Sequence, residues 1–324
     1  MKRVISTIAI EGDLAALKST TFTFKDDEGL NIFVYKWTPD DGKVKAVIQL
    51  AHGMAEHAAR YERFATALTA AGYAVYANDH RGHGKTAGSL EKAGIYADKD
   101  GFKLVVENMH QLTGIIKKEN PNAPVFLFGH SMGSFLSQGY LSLYGNELKG
   151  CVLSGSAGPG GALVTVGHLI ATIISLISGR NEKSKLLDTM SFGAFNNAFK
   201  PNRTAFDWLS RENAEVDKYI NDPWCGFICT AGLFADLTAG LLWIHKSATM
   251  KQIPTSLPIY FVAGAKDPVG AETKSISDLI GIYQKNGMKD VKFKFYENAR
   301  HEILNETNKE EVTADIIGWL DAHK

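Results

Sequence analysis

Short apolar runs rich in branched residues alternate with longer segments of helical spacing along most of this chain, and that alternation restricts the fold more than any other feature. Residues 44–50, 73–77, 125–128, 151–153, 259–263 and 291–296 read as strands. Residues 60–71, 102–118, 132–144, 272–285 and 302–321 read as the helices between and after them, the first stopped by Gly72. Strands joined through helices pair in parallel and are covered on both faces, so the expected fold class is α/β with a mainly parallel sheet. Two earlier segments, residues 21–25 and 30–37, open the sheet across a turn at Asp26-Asp27-Glu28-Gly29.

The rhythm stops between residues 158 and 254, where helical stretches occur without a good strand candidate. This segment reads as a helical cap inserted over the sheet edge, leaving residues 21–157 and 255–324 as the core and 1–20 as an N-terminal extension. Residues 163–177 are the most apolar stretch. They are too few to span a bilayer and are interrupted by Gly167 and His168, so they read as a buried or cleft-lining cap helix. Met1-Lys2-Arg3 and the apolar residues after it resemble a signal peptide only superficially, because Glu11, Gly12 and Asp13 end the run early.

At 324 residues the chain can bury a full core without disulfides or metals. Its 35 Lys+Arg balance 35 Asp+Glu, which gives no sign of a nucleic-acid partner. Three cysteines, Cys151, Cys225 and Cys229, fit a reducing cytoplasm. Cys225 and Cys229 have no companion cysteine or regularly spaced histidine, which argues against zinc.

Gly129-His130-Ser131-Met132-Gly133 lies between a strand and a helix, the context of a nucleophile elbow. There a sharp turn presents the serine hydroxyl at the carboxyl edge of the sheet, and small residues two before and two after it let the chains pass. An alkyl hydroxyl needs a base, and the chain order for this architecture is Ser, acid, His. Asp267 follows strand 259–263 and His301 follows strand 291–296, so both sit at the same edge as Ser131. The plain readings, a turn cap for Asp267 and a surface loop histidine for His301, do not explain that coincidence. Serine, acid and base together point to nucleophilic catalysis by the Ser131 hydroxyl. The oxyanion donors are expected to be the backbone N–H groups of Met132 and of Met54, the latter in His52-Gly53-Met54-Ala55-Glu56-His57. His52 reads as a residue that orders this loop. Asn78-Asp79-His80-Arg81-Gly82-His83-Gly84 reads as a strand-terminal turn whose side chains bond local backbone, not as a metal site.

The segments HGMAEH, NDHRGHGKT, GHSMGS, GAKDPVG and RHE, in this order and spacing over about residues 20–322, resemble the monoacylglycerol lipase/lysophospholipase family. The resemblance implies an α/β-hydrolase fold, a mostly parallel eight-stranded sheet with helices on both faces and a helical cap. It also implies hydrolysis of single-chain acyl esters through an acyl-enzyme without a cofactor, with transient lipid or membrane contact through the cap as a further expectation. Lysophospholipase and general carboxylesterase activities are the nearest alternatives. A peptidase or amidase of the same fold, or a non-catalytic binding protein, lies further off. Met54 stands where many relatives carry a smaller residue, which narrows the space near the acyl carbonyl. Glu56 and Arg60 match positions at which glycerol-ester relatives carry Glu and Arg. Four apart, they can face the mouth of the site as head-group ligands, or they can form an ordinary surface ion pair. Residues 163–177 are then expected to line part of an acyl tunnel.

Overall fold

A computed structural model describes residues 18–324. The expected N-terminal extension, residues 1–20, therefore lies outside the described residues except for its last three, which already belong to a strand. In chain order the strands are β1 (Lys18–Lys25), β2 (Asn31–Thr38), β3 (Ala46–Ala51), β4 (Tyr73–Asn78), β5 (Val125–His130), β6 (Gly150–Ser154), β7 (Ile259–Gly264) and β8 (Val291–Tyr296). They form one eight-stranded sheet in the order β1-β2-β4-β3-β5-β6-β7-β8. β1 and β2 pair antiparallel with each other, as do β2 and β4, and every later pair is parallel.

β3, β4, β5 and β7 are buried at every position, which is why they read as unbroken apolar runs. Alternate side chains leave opposite faces of the sheet. In β5, Val125 and Leu127 join the core beneath α2 (Gly101–Glu119) and α3 (Met132–Tyr144). Phe126 and Phe128 point the other way, toward α1 (Glu62–Ala70) and the C-terminal helix Lys309–His323. There Phe128 meets Phe64 at 5.2 Å between ring centroids, and Phe126 meets Trp319 at 6.1 Å.

The chain leaves β3 toward β4 on one side and returns on the other side as β5. Loops that follow β3 and β5 therefore diverge at the carboxyl edge and open a crevice between them. In register, Ala51 of β3 lies beside Gly129 of β5, so the segments 52–57 and 130–132 leave the sheet side by side.

Between β6 and β7 the chain runs through α4 (Gly161–Ser178), α5 (Lys185–Phe192), α6 (Asn213–Asn221) and α7 (Ala231–Ile244). α4 packs along α7, and α7 packs on α2 and α3. The expected burial of residues 163–177 does not hold. Within α4 only Ala171 and Ser175 are buried, while Leu163, Leu176 and Ile177 are about four-fifths exposed. The helix is apolar on all sides, and the stripe facing α7 uses only part of that surface. By length and composition alone α4 is sufficient to cross a membrane.

After β7 come α8 (Lys274–Lys285) and, after β8, α9 (Lys309–His323). The last helix was expected from residue 302, but its first seven residues form instead a short 3-10 turn, Ile303–Asn305, and a loop. Their polar groups are committed elsewhere. The Glu302 N–H donates to the Leu209 carbonyl at 2.7 Å, and Glu306 accepts from the Arg300 and Arg211 N–H groups at 2.8 and 3.1 Å.

Candidate active site

Ser131 occupies the turn between β5 and α3 with φ 52° and ψ −119°, a conformation that L-residues seldom adopt. The neighbouring glycines explain how the turn is tolerated. A Cβ on Gly133 would lie 2.1 Å from the Ala51 carbonyl oxygen, and one on Gly129 would lie 2.4 Å from the Gly133 oxygen. The Ser131 N–H donates to Ser154 O at 2.9 Å, and Ser134 Oγ donates to Ser131 O at 2.6 Å, which lock the strained residue between β6 and α3.

Asp267 and His301 come together as expected. Both are buried, and His301 Nδ1–H donates to Asp267 Oδ2 at 2.9 Å. The other carboxylate oxygen accepts the Val269 N–H at 2.9 Å, which fixes the carboxylate plane. His301 and Ser131 share the wall of one cavity of about 390 Å³. Burial alone would lower the His301 pKa, but the Asp267 carboxylate, by charge and by hydrogen bond, raises it above the ordinary 6.5, with Glu302 and Glu56 adding to the effect.

The loop after β3 is held at both sides of Met54. Gly53 N–H donates to Glu56 Oε1 at 2.6 Å, and Ala55 N–H donates to His83 Nε2 at 3.2 Å. Met54 N–H lies between these two committed donors, and a Cβ on Gly53 would approach Ser131 Cβ to 3.3 Å. Met132 is the first residue of α3, and its N–H is among those a helix leaves without an internal partner.

The ordering role expected of His52 is seen in its bonds. Its Nδ1–H donates to Gly53 O at 2.7 Å and its Nε2 accepts the His80 N–H at 3.0 Å, an arrangement that only a neutral ring can make. The turn at 78–84 does more than bond its own backbone. His83 Nδ1–H donates to Arg81 O while its Nε2 supports Ala55, and Asp79 Oδ1 accepts the Ala58 N–H at 2.9 Å. Sequence spacing gave no signal for these cross-loop bonds, because their partners lie more than twenty positions away.

Glu56 and Arg60 meet the two sequence expectations only in part. Neither forms a surface pair, and only Glu56 lines the cavity that holds Ser131. Arg60 sits behind it, with Nη1 on Glu56 Oε2 at 2.5 Å and a two-pronged pair to Glu302 at 2.8 Å on each oxygen. Tyr61 OH donates to Glu56 Oε1 at 2.8 Å. Burial pushes both carboxyls up, but the Arg60 charge together with the hydrogen bonds each carboxylate accepts outweighs it, so both stay below the ordinary carboxylate value. The third member, Glu302, follows His301 directly and was not assigned a role from sequence.

Trp208 was also missed. Its ring lies 5.1 Å from that of His301, and its carbonyl accepts the His301 N–H at 3.3 Å. Together with Phe192, Leu209 and Phe227, it shows that the segment between β6 and β7 forms much of the cavity wall. No residue of α4 lines this cavity, so residues 163–177 do not extend it as the expected acyl tunnel. That helix turns its free face outward because its inner face is taken by α7.

Burial holds His83, His130 and His245 down to about 4, and lowers His52 and His80 well below 6.5. Below pH 6.5 the unfolded chain takes up protons at these sites and the folded chain does not. Each such histidine therefore removes stability progressively as the pH falls below 6.5. His301 has the opposite sign, gaining stability on protonation, but is outnumbered. The urea midpoint is expected to drop steeply between pH 7 and pH 5, and a flat midpoint over that range would contradict the neutral histidine network. Were His301 the general base, it would have to be neutral to act, and the acidic limb of kcat/KM would then be expected above 6.5.

Comparison with known proteins decides the family. Residues 42–308 match the model of the hydrolase family described as serine aminopeptidase, S33. The chain belongs to this family. The monoacylglycerol lipase of Mycolicibacterium smegmatis is 31% identical over 303 residues, 91% of this chain and 94% of the relative. The mouse monoglyceride lipase is 28% identical over 296 residues, 90% of this chain and 85% of the relative. Among solved structures, a thermostable carboxyl esterase from Bacillus coagulans in complex with glycerol superposes with a TM-score of 0.87 at 28% identity, covering 94% of this chain and 98% of that one. The S33-family chain thus has the α/β-hydrolase fold, with only β2 running against the other strands of its sheet, and it is a carboxylic ester hydrolase.

Proposed function

We propose that this enzyme hydrolyses monoacylglycerols, with Ser131 as nucleophile, His301 as general base and Asp267 as its orienting acid. The observation that carries this reading is the buried Asp267–His301 pair sharing a cavity wall with the strained Ser131. Ser131 Oγ attacks the ester carbonyl and passes its proton to His301 Nε2. Met54 and Met132 N–H groups hold the oxyanion, worth about 2.7–4 kcal/mol for each donor. Collapse expels the glycerol oxygen, which takes the proton from His301. Water, deprotonated by His301, then attacks the acyl-Ser131 ester and releases the fatty acid. The substrate class is supported by the lipase relatives and by the glycerol bound in the related esterase. The segment between β6 and β7 acts as the cap, and the sparse, unpaired cysteines agree with a cytoplasmic setting. A panel of monoacylglycerols, lysophospholipids, p-nitrophenyl esters and amino-acyl anilides tests the assignment. Monoacylglycerols should lead in kcat/KM, whereas preference for a lysophospholipid or an anilide would reject it.

The outward face of α4 supports a second part of this proposal. Leu163, Val166, Leu169, Leu176 and Ile177 are each more than half exposed, as is Leu186 of α5. A patch of this kind on the cap suits a lipid surface, where single-chain acyl esters partition. Replacing Leu163, Leu176 and Ile177 together by Gln is expected to cut vesicle co-sedimentation and turnover of vesicle-borne monoolein severalfold while leaving p-nitrophenyl acetate hydrolysis unchanged. Equal losses on both substrates would point to cap destabilisation instead.

A further inference from the structure

We propose that His57, Asp222 and Cys225 form a binding site for a zinc-like divalent cation at the seam between the oxyanion loop and the cap. Their ligand atoms, an imidazole nitrogen, a carboxylate oxygen and a thiol sulfur, all lie within 4.8 Å of one another. This is a mixed donor set of the kind that selects zinc over magnesium or calcium. Sequence reading set zinc aside because no further cysteine and no regularly spaced histidine accompanies Cys225 and Cys229. The fold supplies a histidine from far away, since His57 Nε2 reaches Asp222 Oδ2 at 2.8 Å across the seam.

The two cap ligands are arranged by their own turn. Asp222 and Cys225 are separated by two residues, and the Cys225 N–H donates to the Asp222 carbonyl at 2.9 Å. Asp222 Oδ1 accepts the Trp224 N–H at 2.8 Å, which leaves Oδ2 facing His57. On the other side of the seam, Ala55 O accepts from the Gly226 N–H at 2.9 Å and from Tyr219 OH at 3.0 Å, so loop and cap are already in register.

Bond lengths of about 2.0–2.3 Å in a tetrahedron separate ligand atoms by roughly 3.3–3.7 Å. His57 and Asp222 would part by about half an ångström, and Cys225 would close by about one at most. The charges suit a cation. Arg60 is matched by two carboxylates, Glu56 and Glu302, so Asp222 adds to a local negative excess. Zinc would displace the Cys225 thiol proton to solvent, giving a neutral set of Zn²⁺, thiolate, carboxylate and imidazole with one position open to water. Asp222 is 30% exposed and offers the way in. None of these residues belongs to the proposed ester chemistry, so the site stands or falls separately from the proposed substrate.

Cobalt(II) is the probe, titrated into the full chain under a phosphine reductant. The expected result is a thiolate-to-cobalt charge-transfer band that saturates at about one ion per chain and is displaced by zinc. Cys225→Ser should abolish the band, His57→Gln should weaken cobalt binding about tenfold or more, and Cys229→Ser should retain both. Zinc should raise the Tm of the unaltered protein and not that of Cys225→Ser. Absence of the band from the unaltered protein, or its persistence in Cys225→Ser, overturns the site. Zinc inhibition of ester hydrolysis without the band would place the ion on His301 and overturns it equally.

Discussion

Ser131→Ala is expected to lower kcat for every ester by about 10³-fold or more while leaving the thermal unfolding midpoint close to that of the unaltered protein. Only binding and oxyanion stabilisation remain once the attacking oxygen is gone. The side chain removed is small, and the strained φ of 52° is imposed by the packing of Gly129 and Gly133 against neighbouring backbone, not by the hydroxyl. His301→Ala should lose a comparable amount because no other base shares its position. His130, whose ring lies 4.8 Å away, is held down to about 4 and is a poor proton acceptor at neutral pH. Asp267→Asn should also be strongly impaired, since an amide cannot stabilise the imidazolium that forms. A Ser131→Ala enzyme that kept a tenth of the activity would remove Ser131 from the mechanism.

Arg60→Ala is expected to destabilise the fold by about 3–5 kcal/mol, far more than loss of a surface pair would. Among the described residues the guanidinium is the ion-pair partner of both facing carboxylates, Glu56 and Glu302, whose side chains are only 4% and 7% exposed. Without it, two buried carboxylates repel each other. Because Glu56 also holds the Gly53 N–H and Glu302 adjoins His301, the active site loosens as well. The loss in kcat/KM should therefore be parallel on a monoacylglycerol and on a p-nitrophenyl ester of the same chain length. A triple substitution, Glu56→Gln, Arg60→Leu and Glu302→Gln, should recover much of the lost stability by removing all three charges. Denaturant titration of both variants checks this. A selective loss on the monoacylglycerol would return Arg60 to the role of a head-group ligand.

The helix that begins at residue 309 instead of 302 shows where local pattern loses to tertiary bonding. Residues 302–308 have helical composition, yet Glu302 and Glu306 bond Arg60, Arg211 and the Arg300 N–H. Those partners come from three separate parts of the chain, and together they outweigh a few tenths of a kcal/mol per residue of helix propensity. The same competition hid Trp208, a residue with no motif around it that is defined as part of the site only by contact with His301.

The sequence by itself determined the elements and the edge of the sheet to which the chemistry belongs. Periodicity marks strands and helices locally, and a nucleophile elbow is a local steric requirement, so Ser131, Asp267 and His301 could be placed from order and spacing alone. Tertiary structure decided what surrounds them. Whether Glu56 and Arg60 face substrate or form a buried cluster, whether α4 lines a tunnel or faces outward, and which histidine meets Cys225 all depend on distant segments. Burial and charge pairing are properties of the packed chain, and no run of neighbouring residues encodes them.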